Sequence, residues 1–586
     1  VKRGWIGLDA LYGNELTALC RPEELVRLTE YARRLEKQYG LELDSAMISD
    51  VPGYTWGIVP ALVHGGVKYL SIGPNTGHRI GYTLSAWGDR PFYWVSPSGE
   101  EKLLCWVAGQ GYSWFHSGPL QDGKKLLDYL ESLENSGYPY DFVQVRYNIG
   151  GDNGPPDPNL SDFVRDWNRQ YAYPRLIIAT TSEMFHAFEE RYAEQIPSVR
   201  GDFTPYWEDG AASSAKETGW NRAAAERLVQ AETLWAMLNP DKYPADDFYR
   251  AWRNVILYDE HTWGAHNSIT EPESDFVKAQ WAVKSGFAIE AERLSRELLA
   301  RALARYRAPA SEAKAVLVFN TTSWPRTDLV LIPKEWDFFA GGQPVYAVLP
   351  DGSFTSVQQL ADGDWAFVAQ DVPAFGAACY RFHVGPLPLG VFREPVRGAE
   401  ACLSETGSAY LSNGLITLEI DGKAGEIIRL IRKDISRDLV ELPINGTGLN
   451  AYFYVTGRDP RDATQFHTNR PVTLSIKDQG PVMATVAAES SAPGCKKLVR
   501  EYRVVAWLER VDIRNLLDKE NVYEPEAVHL VFAFDVPEGV MRLDTPWAVV
   551  IPEADQLPGA CKNYLTVQRW VDISNQDYGV TWATLE

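Results

Sequence analysis

The 586 residues predict a multidomain chain of the class α/β plus α plus β. Strand-like and helix-like stretches alternate from residue 1 to about 195. The character turns helical from about 205 to 310, and short strands with turn signals follow from about 314. Alternation of this kind implies a mainly parallel sheet flanked by helices, whereas consecutive strands imply sandwiches. The expected domains are a barrel-like β/α domain over 1–200, a three-helix bundle over 201–310, a small β domain over 311–400, and a large β-sandwich (supersandwich) domain over 401–586, incomplete at its end.

Each element has a local reason. Arg21-Pro22-Glu23-Glu24 opens a helix, with Pro early and acids in the first turn; Leu25, Leu28, Ala32, Leu35 and Tyr39 share one face, and Gly40 ends it. Ala46 to Ile48 end a buried strand. Val51-Pro52-Gly53 turn the chain into a helix from Trp56 to His64, and Val67 to Ile72 form the next strand. Leu103 to Val107 read as a strand and Lys124 to Leu133 as an amphipathic helix. Phe142 to Tyr147 read as a strand, Ser161 to Arg169 as a helix, and Leu176 to Ala179 as a strand. Leu228, Ala231, Leu234, Trp235 and Leu238 fall at helical spacing, as do Phe248, Trp252, Val255 and Tyr258; Phe276 to Ala304 is a long third helix. Beyond it, Ala315 to Phe319, Asp328 to Ile332, Cys379 to Phe382, Leu415 to Ile420, Ala484 to Glu489 and His529 to Phe534 read as strands. Asp351-Gly352 and Asp421-Gly422 are hairpin signals.

Composition narrows the function. With 57 basic against 78 acidic residues, the net charge of -21 disfavours nucleic acid and anionic membrane surfaces as partners. No run of about 18 apolar residues is present to span a bilayer. The six cysteines are scattered without a C-x-x-C pair, which argues against a disulfide framework or a zinc cluster of thiolates. The compartment stays open, with the cytoplasm favoured, and so does the oligomeric state, a homo-oligomer included. Val1 is not Met, and Gly579 to Thr584 reads as mid-strand, so both ends are expected to be cut.

Two carboxylates stand where such sheets place their chemistry. Asp50 follows a strand and precedes a Pro-Gly turn; Asp152 follows Phe142 to Tyr147 and sits in the Gly- and Pro-rich loop Asn148 to Pro156. A strand-end pair suits acid/base or nucleophilic work. Asp50 also suits a helix cap, and Asp152 a simple turn. His261, in Tyr258-Asp259-Glu260-His261-Thr262-Trp263-Gly264, sits at a helix end, where the dipole favours it regardless of function.

Taken together, Asp50-Val51-Pro52-Gly53-Tyr54-Thr55, Gly201 to Gly210, Tyr258 to Gly264, and Ser412 to Thr417 followed by Gly425-Glu426-Ile427 resemble glycoside hydrolase family 38, the α-mannosidases. The resemblance runs through nearly the whole chain and rests on motif order. It implies a retaining, zinc-dependent hydrolase of α-mannosidic bonds that acts through a covalent glycosyl-aspartate, with a carbohydrate substrate. It implies Asp50 as nucleophile and zinc ligand, Asp152 as general acid/base, and His261 as the zinc ligand from the bundle. Retention needs two carboxylates about 5 Å apart, one ionised and one protonated. Zinc would grip sugar hydroxyls and fix ring geometry. Tyr54, Trp56 and Trp263 are candidate sugar contacts, with Asn14, Glu15, Asn75 and Trp114 as weaker ones.

One feature departs from the family. Its remaining zinc ligands form a His-x-Asp on the first strand, and none of the nine histidines has Asp two residues on. Asp50 and His261 alone are too few for zinc, which takes at least three protein ligands. The pair is therefore expected upstream of Val1. The alternatives are a non-catalytic carbohydrate-binding relative and a hydrolase of another glycosidic linkage.

Overall fold

The computed structural model describes residues 1–585 apart from 76–80, 113–119, 121–122, 150–153, 262–263, 307–313, 337–341, 388–397, 443–445 and 458–465. Two compact units make up the chain. The first holds Val1–Ala302, Val540–Asp572 and Thr581–Glu586; the second holds Leu303–Gly539 and Ile573–Val580. The expected β/α and helical regions thus share one unit, to which a late segment returns.

The first unit is built on five strands: β1 (Ser45–Asp50), β2 (Tyr69–Pro74), β3 (Phe92–Val95), β4 (Lys102–Val107) and β5 (Ser198–Arg200), in spatial order β1-β2-β4-β3-β5. Three pairings are parallel, and β3 runs antiparallel to β4. Every residue of β2 is buried, as expected of an inner strand covered on both faces. Among the described residues β1 and β5 remain edges, so the sheet is open; this corrects the barrel-like expectation. The expected strands at Phe142 to Tyr147 and Leu176 to Ala179 join no ladder. Their alternating pattern is used differently. Phe142 and Val143 pack with Trp106 and Phe188, and Val145 and Tyr147 pack with Leu126 and Leu176. Gln144 and Arg146 meanwhile bond to Ser71 in the middle of β2, and Arg146 also to Ser49 near the end of β1. The short strands β3 and β5 lacked a clear period and were not anticipated.

The flanking helices are α1 (Pro22–Arg27), α2 (Glu30–Tyr39), α3 (Ile58–His64), α4 (Thr83–Trp87), α5 (Lys124–Asn135), α6 (Leu160–Gln170) and α7 (Thr181–Tyr192). The single helix expected from Arg21 to Gly40 is broken. Tyr12 N–H claims the carbonyl of Leu28, and the Thr29 hydroxyl bonds to Val26 O, which separates α1 from α2. Gly40 ends α2 in the left-handed conformation, as its position suggested. The expected bundle is α8 (Ala215–Leu238), α9 (Ala245–Asp259) and α10 (Asp275–Leu303). Asn221 of α8 donates to Val255 O of α9, and Trp235 Nε1 to Leu298 O of α10. The returning segment is bolted to α1 and α8 through the Gln568 carbonyl, which accepts from Arg21 and Arg222 at 2.7 Å each.

The second unit is all β in its strands. A small core lies between the sheet containing Ala315–Asn320 and Gly376–Val384 and the sheet containing Arg326–Ile332 and Trp365–Val372. A larger sandwich follows. Leu411, Leu418 and Ile420 from the sheet of Glu400–Leu403 to Ile427–Arg432 interdigitate with Ala484, Val486, Tyr502 and Val504 from the sheet of Thr473–Asp478 to Val511–Lys519. The expected strands in this half fall within these elements with ends moved by a few residues, except His529 to Phe534, of which only the first three residues are strand, in Glu526–Val531, which pairs with Ala451–Thr456 in a separate sheet.

Candidate active site

β1 ends on Asp50 in the left-handed region, with φ at 72°. Asp tolerates this conformation better than most residues, at a cost on the order of 1–3 kcal/mol that the surroundings must offset. They do so from two sides. Asn75 N–H donates to the Asp50 carbonyl at 3.2 Å, and Asn75 Nδ2 donates to Asp50 Oδ1 at 2.7 Å. The preceding residue, Ser49, accepts from Arg146 Nη1 through its hydroxyl at 2.7 Å, while Arg146 Nη2 reaches the Ser71 hydroxyl at 2.7 Å. Burial pulls the Arg146 pKa down to about 10, which leaves it charged at neutral pH. The guanidinium fits because residue 73 is Gly; a Cβ there would lie 2.2 Å from Nη1.

His261 comes from the bundle, just past the end of α9. Its Nε2 lies 3.1 Å from Asp50 Oδ2, although the two residues are 211 apart in sequence. The Trp207 ring stacks on the imidazole with centroids 5.5 Å apart and planes 18° off parallel. The two polar side chains keep 19% and 17% of their surface, enough for a ligand to touch them. Lys284 Nζ donates to Glu260 O, and Leu16 N–H donates to Asp259 O, so the carbonyls at the end of α9 are not left open.

The structure brings together two of the expected site residues, Asp50 and His261. Asp152, Trp263 and Trp114 lie outside the described residues. Tyr54 and Trp56 are not placed as sugar contacts. Tyr54 is fully buried, bonds to Val51 O through its hydroxyl and meets Phe203 edge-on; Trp56 is 6% exposed and donates to Val95 O. Both follow a tight turn whose far side is core, so they hold the loop. Glu15 also points inward, 1% exposed, and pairs across an isolated bridge with Glu260. Trp207 and Arg146 were not singled out beforehand. The only available signal for Trp207 was its place in the aromatic and acidic stretch Gly201 to Gly210.

Two donor sets bear on metal binding. Asp50 Oδ2 and His261 Nε2 face each other at a separation that suits neighbouring ligands of one ion. Among the described residues, no third His, Cys, Asp or Glu converges with them. The trio that does converge is Cys20, Glu24 and Asp259, all buried. It is already offset. Glu24 Oε1 accepts from Arg21 N–H, Asp259 Oδ1 accepts from Asn221, and the cations Arg222 and Lys284 act on Asp259. Burial pushes the Glu24 and Asp259 pKa values up, and the neighbouring Asp259 raises Glu24 further, so the pair favours holding a proton.

Two further acids lie in the stretch that carries Trp207. Burial raises the Asp202 pKa to about 7 and the Glu208 pKa to about 8, against ordinary values of 3.8 and 4.5. Between those limits the folded chain binds protons that the unfolded chain has released. Stability is therefore greatest below the ordinary values and falls as pH rises toward 7 to 8. Urea midpoints should drop from pH 5 to pH 8, and Glu208→Gln should flatten part of that slope; an unchanged slope would exclude the assignment for Glu208.

No family model matches the sequence, and no curated protein matches it. Solved structures do. The chain is similar to the crystal structure of an alpha-mannosidase from Enterococcus faecalis V583, with a TM-score of 0.74 and 12% identity, covering 99% of this chain and 72% of that one. It is also similar to a protein in glycosyl hydrolase family 38 from Enterococcus faecalis, with a TM-score of 0.66 and 11% identity, covering 99% and 71%. At these identities the likeness establishes a shared fold.

Proposed function

Starting from a fold shared with family 38 structures, we propose that this chain is a retaining glycoside hydrolase acting on α-mannosides, with Asp50 as nucleophile. The single observation that carries the reading is the meeting of Asp50 and His261 at 3.1 Å, in a partly open position at the carboxyl end of β1. In this reading an Asp50 oxygen attacks the anomeric carbon as the glycosidic C–O bond breaks. A carboxylic acid delivers its proton to the departing oxygen, and then, as carboxylate, takes a proton from the water that releases the sugar. Asp152 is assigned that second role on its sequence position. Asn75 orients one carboxylate oxygen, and His261, held flat by Trp207, orients the other.

Asp50 and His261 would contribute two ligands to a zinc ion, and no third His, Cys, Asp or Glu converges with them among the described residues. When bound, zinc would supply a grip on sugar hydroxyls.

The test is turnover of a panel of aryl glycosides, with and without a chelator. Aryl α-mannosides should be cleaved with retention, and zinc should restore activity after chelation. Cleavage of another glycoside only would move the assignment to a different linkage; cleavage of none, with sugar binding retained, would favour a non-catalytic lectin-like role. Asp152→Ala should lower kcat/KM, which reports the bond-breaking step, about a hundredfold or more for substrates with poor leaving groups, and spare it for activated ones. Equal slowing of both would remove Asp152 from the acid role.

A further inference from the structure

We propose that Asn14 is the positioning residue that sets the separation of Asp50 and His261. The inference rests on the reading of those two as the reactive pair. It starts from the exposed edge of β1. With β2 on its other side, Ser49 has a backbone N–H and C=O that no strand satisfies among the described residues. The side chain of Asn14 takes both. Its Oδ1 accepts from Ser49 N–H at 2.9 Å, and its Nδ2 donates to Ser49 O. A carboxamide presents a donor and an acceptor side by side, as a neighbouring peptide group would, and no other side chain of this length does so. Asp offers acceptors only and would face the Ser49 carbonyl with like polarity; Leu offers neither group.

The backbone of the same residue holds the other partner. Asn14 O accepts from His261 N–H at 2.9 Å. Its neighbours keep the register: Leu16 N–H bonds to Asp259 O at 3.1 Å, and Glu15 bridges Glu260. The approach is close: a Cβ at Gly13 would lie 3.0 Å from Glu260 Cγ. One half-buried residue therefore binds the residue before Asp50 through its side chain and His261 through its main chain. Asn75 holds Asp50, Arg146 holds Ser49 and Trp207 holds His261; Asn14 reaches both Ser49 and His261. If its amide is removed, the outer edge of β1 at Ser49 loses its backbone partners and only Arg146, Asn75 and β2 hold the strand end, while His261 stays tethered. The two should then drift apart.

The experiment compares the protein with Asn14→Ala and Asn14→Asp, using crystal structures, urea midpoints and kinetics on an aryl α-mannoside. In Asn14→Ala the Asp50 to His261 contact should open beyond hydrogen-bond reach, more than about 3.5 Å. The kcat should fall about a hundredfold with KM changed less than about threefold, as expected when reacting groups are misplaced by about 1 Å. Asn14→Asp, which sets an oxygen against the Ser49 carbonyl, should open the contact at least as far as Asn14→Ala and supplies the measurement if the alanine variant does not fold. An unchanged separation overturns the proposal whatever happens to kcat; an unchanged kcat in a variant whose contact has opened leaves Asn14 its role in the spacing and overturns the reading of Asp50 and His261 as the reactive pair. If the unmodified protein cleaves no glycoside, the glycosidase reading fails, and the crystallographic comparison still decides the role of Asn14.

Discussion

Asp50→Asn should lower turnover of aryl α-mannosides by about four orders of magnitude, the loss expected when a residue that forms bonds to the substrate is removed. The substitution keeps shape and burial, and the amide retains an oxygen that Asn75 can still reach, so the urea midpoint should stay near that of the unmodified protein. A measured residual rate above about one part in a hundred, on a preparation free of contaminating activity, would exclude Asp50 from bond-making. A second measurement separates the two carboxylate roles. In Asp50→Gly, added azide should restore cleavage of an activated substrate and yield a glycosyl azide of inverted configuration, because the small anion enters where the carboxylate stood. A product of retained configuration would reassign Asp50 to the acid/base role and leave the nucleophile to be found elsewhere.

Gly53→Ala should be among the most damaging single-methyl changes in the first unit. Gly53 has φ at 81°, a region closed to most L residues. Its added Cβ would lie 2.2 Å from Thr204 O and 2.8 Å from Pro205 Cα, both of them backbone atoms that cannot swing aside. The loop and the 203–206 segment are also joined by hydrogen bonds, from Phe203 N–H to Tyr54 O and from Tyr206 N–H to Pro52 O. Relief of the clash must part these strands of chain and shift Trp207 off His261. Stability should fall by about 3 kcal/mol or more, and kcat should fall with it. Gly40→Ala is the control. It too has a left-handed φ, 65°, but nothing lies within 4 Å of its added Cβ, so a loss of about 1 kcal/mol is expected. Equal losses at the two positions would show that backbone angle alone matters and that the contact with Thr204 does not.

The long amphipathic helices were legible because their period is local. The faces marked by Leu228, Ala231, Leu234 and Trp235, and by Phe248, Trp252 and Val255, are the faces that α8 and α9 bury. The sandwich strands were legible for the same reason, since alternation over a few residues suffices. Phe142 to Tyr147 shows the limit of that reasoning. Its alternation is real, yet one face packs on Trp106, Phe188 and Leu126 and the other meets Ser49 and Ser71 in β1 and β2, and no ladder forms. Periodicity reports that two faces differ; it does not report what lies opposite them.

The order of helical and strand-rich stretches, the acidic balance and the choice of Asp50 and His261 as residues of interest were determined by sequence alone, because composition, period and motif order are properties of the chain itself. The company those residues keep was decided only by tertiary structure. Tyr54 and Trp56 turned inward, while Asn14, Asn75, Arg146 and Trp207 closed around the pair. Contacts of this kind join positions more than two hundred residues apart. Their strength lies in short-range hydrogen bonds and packing, which act only after the fold has brought the partners within reach.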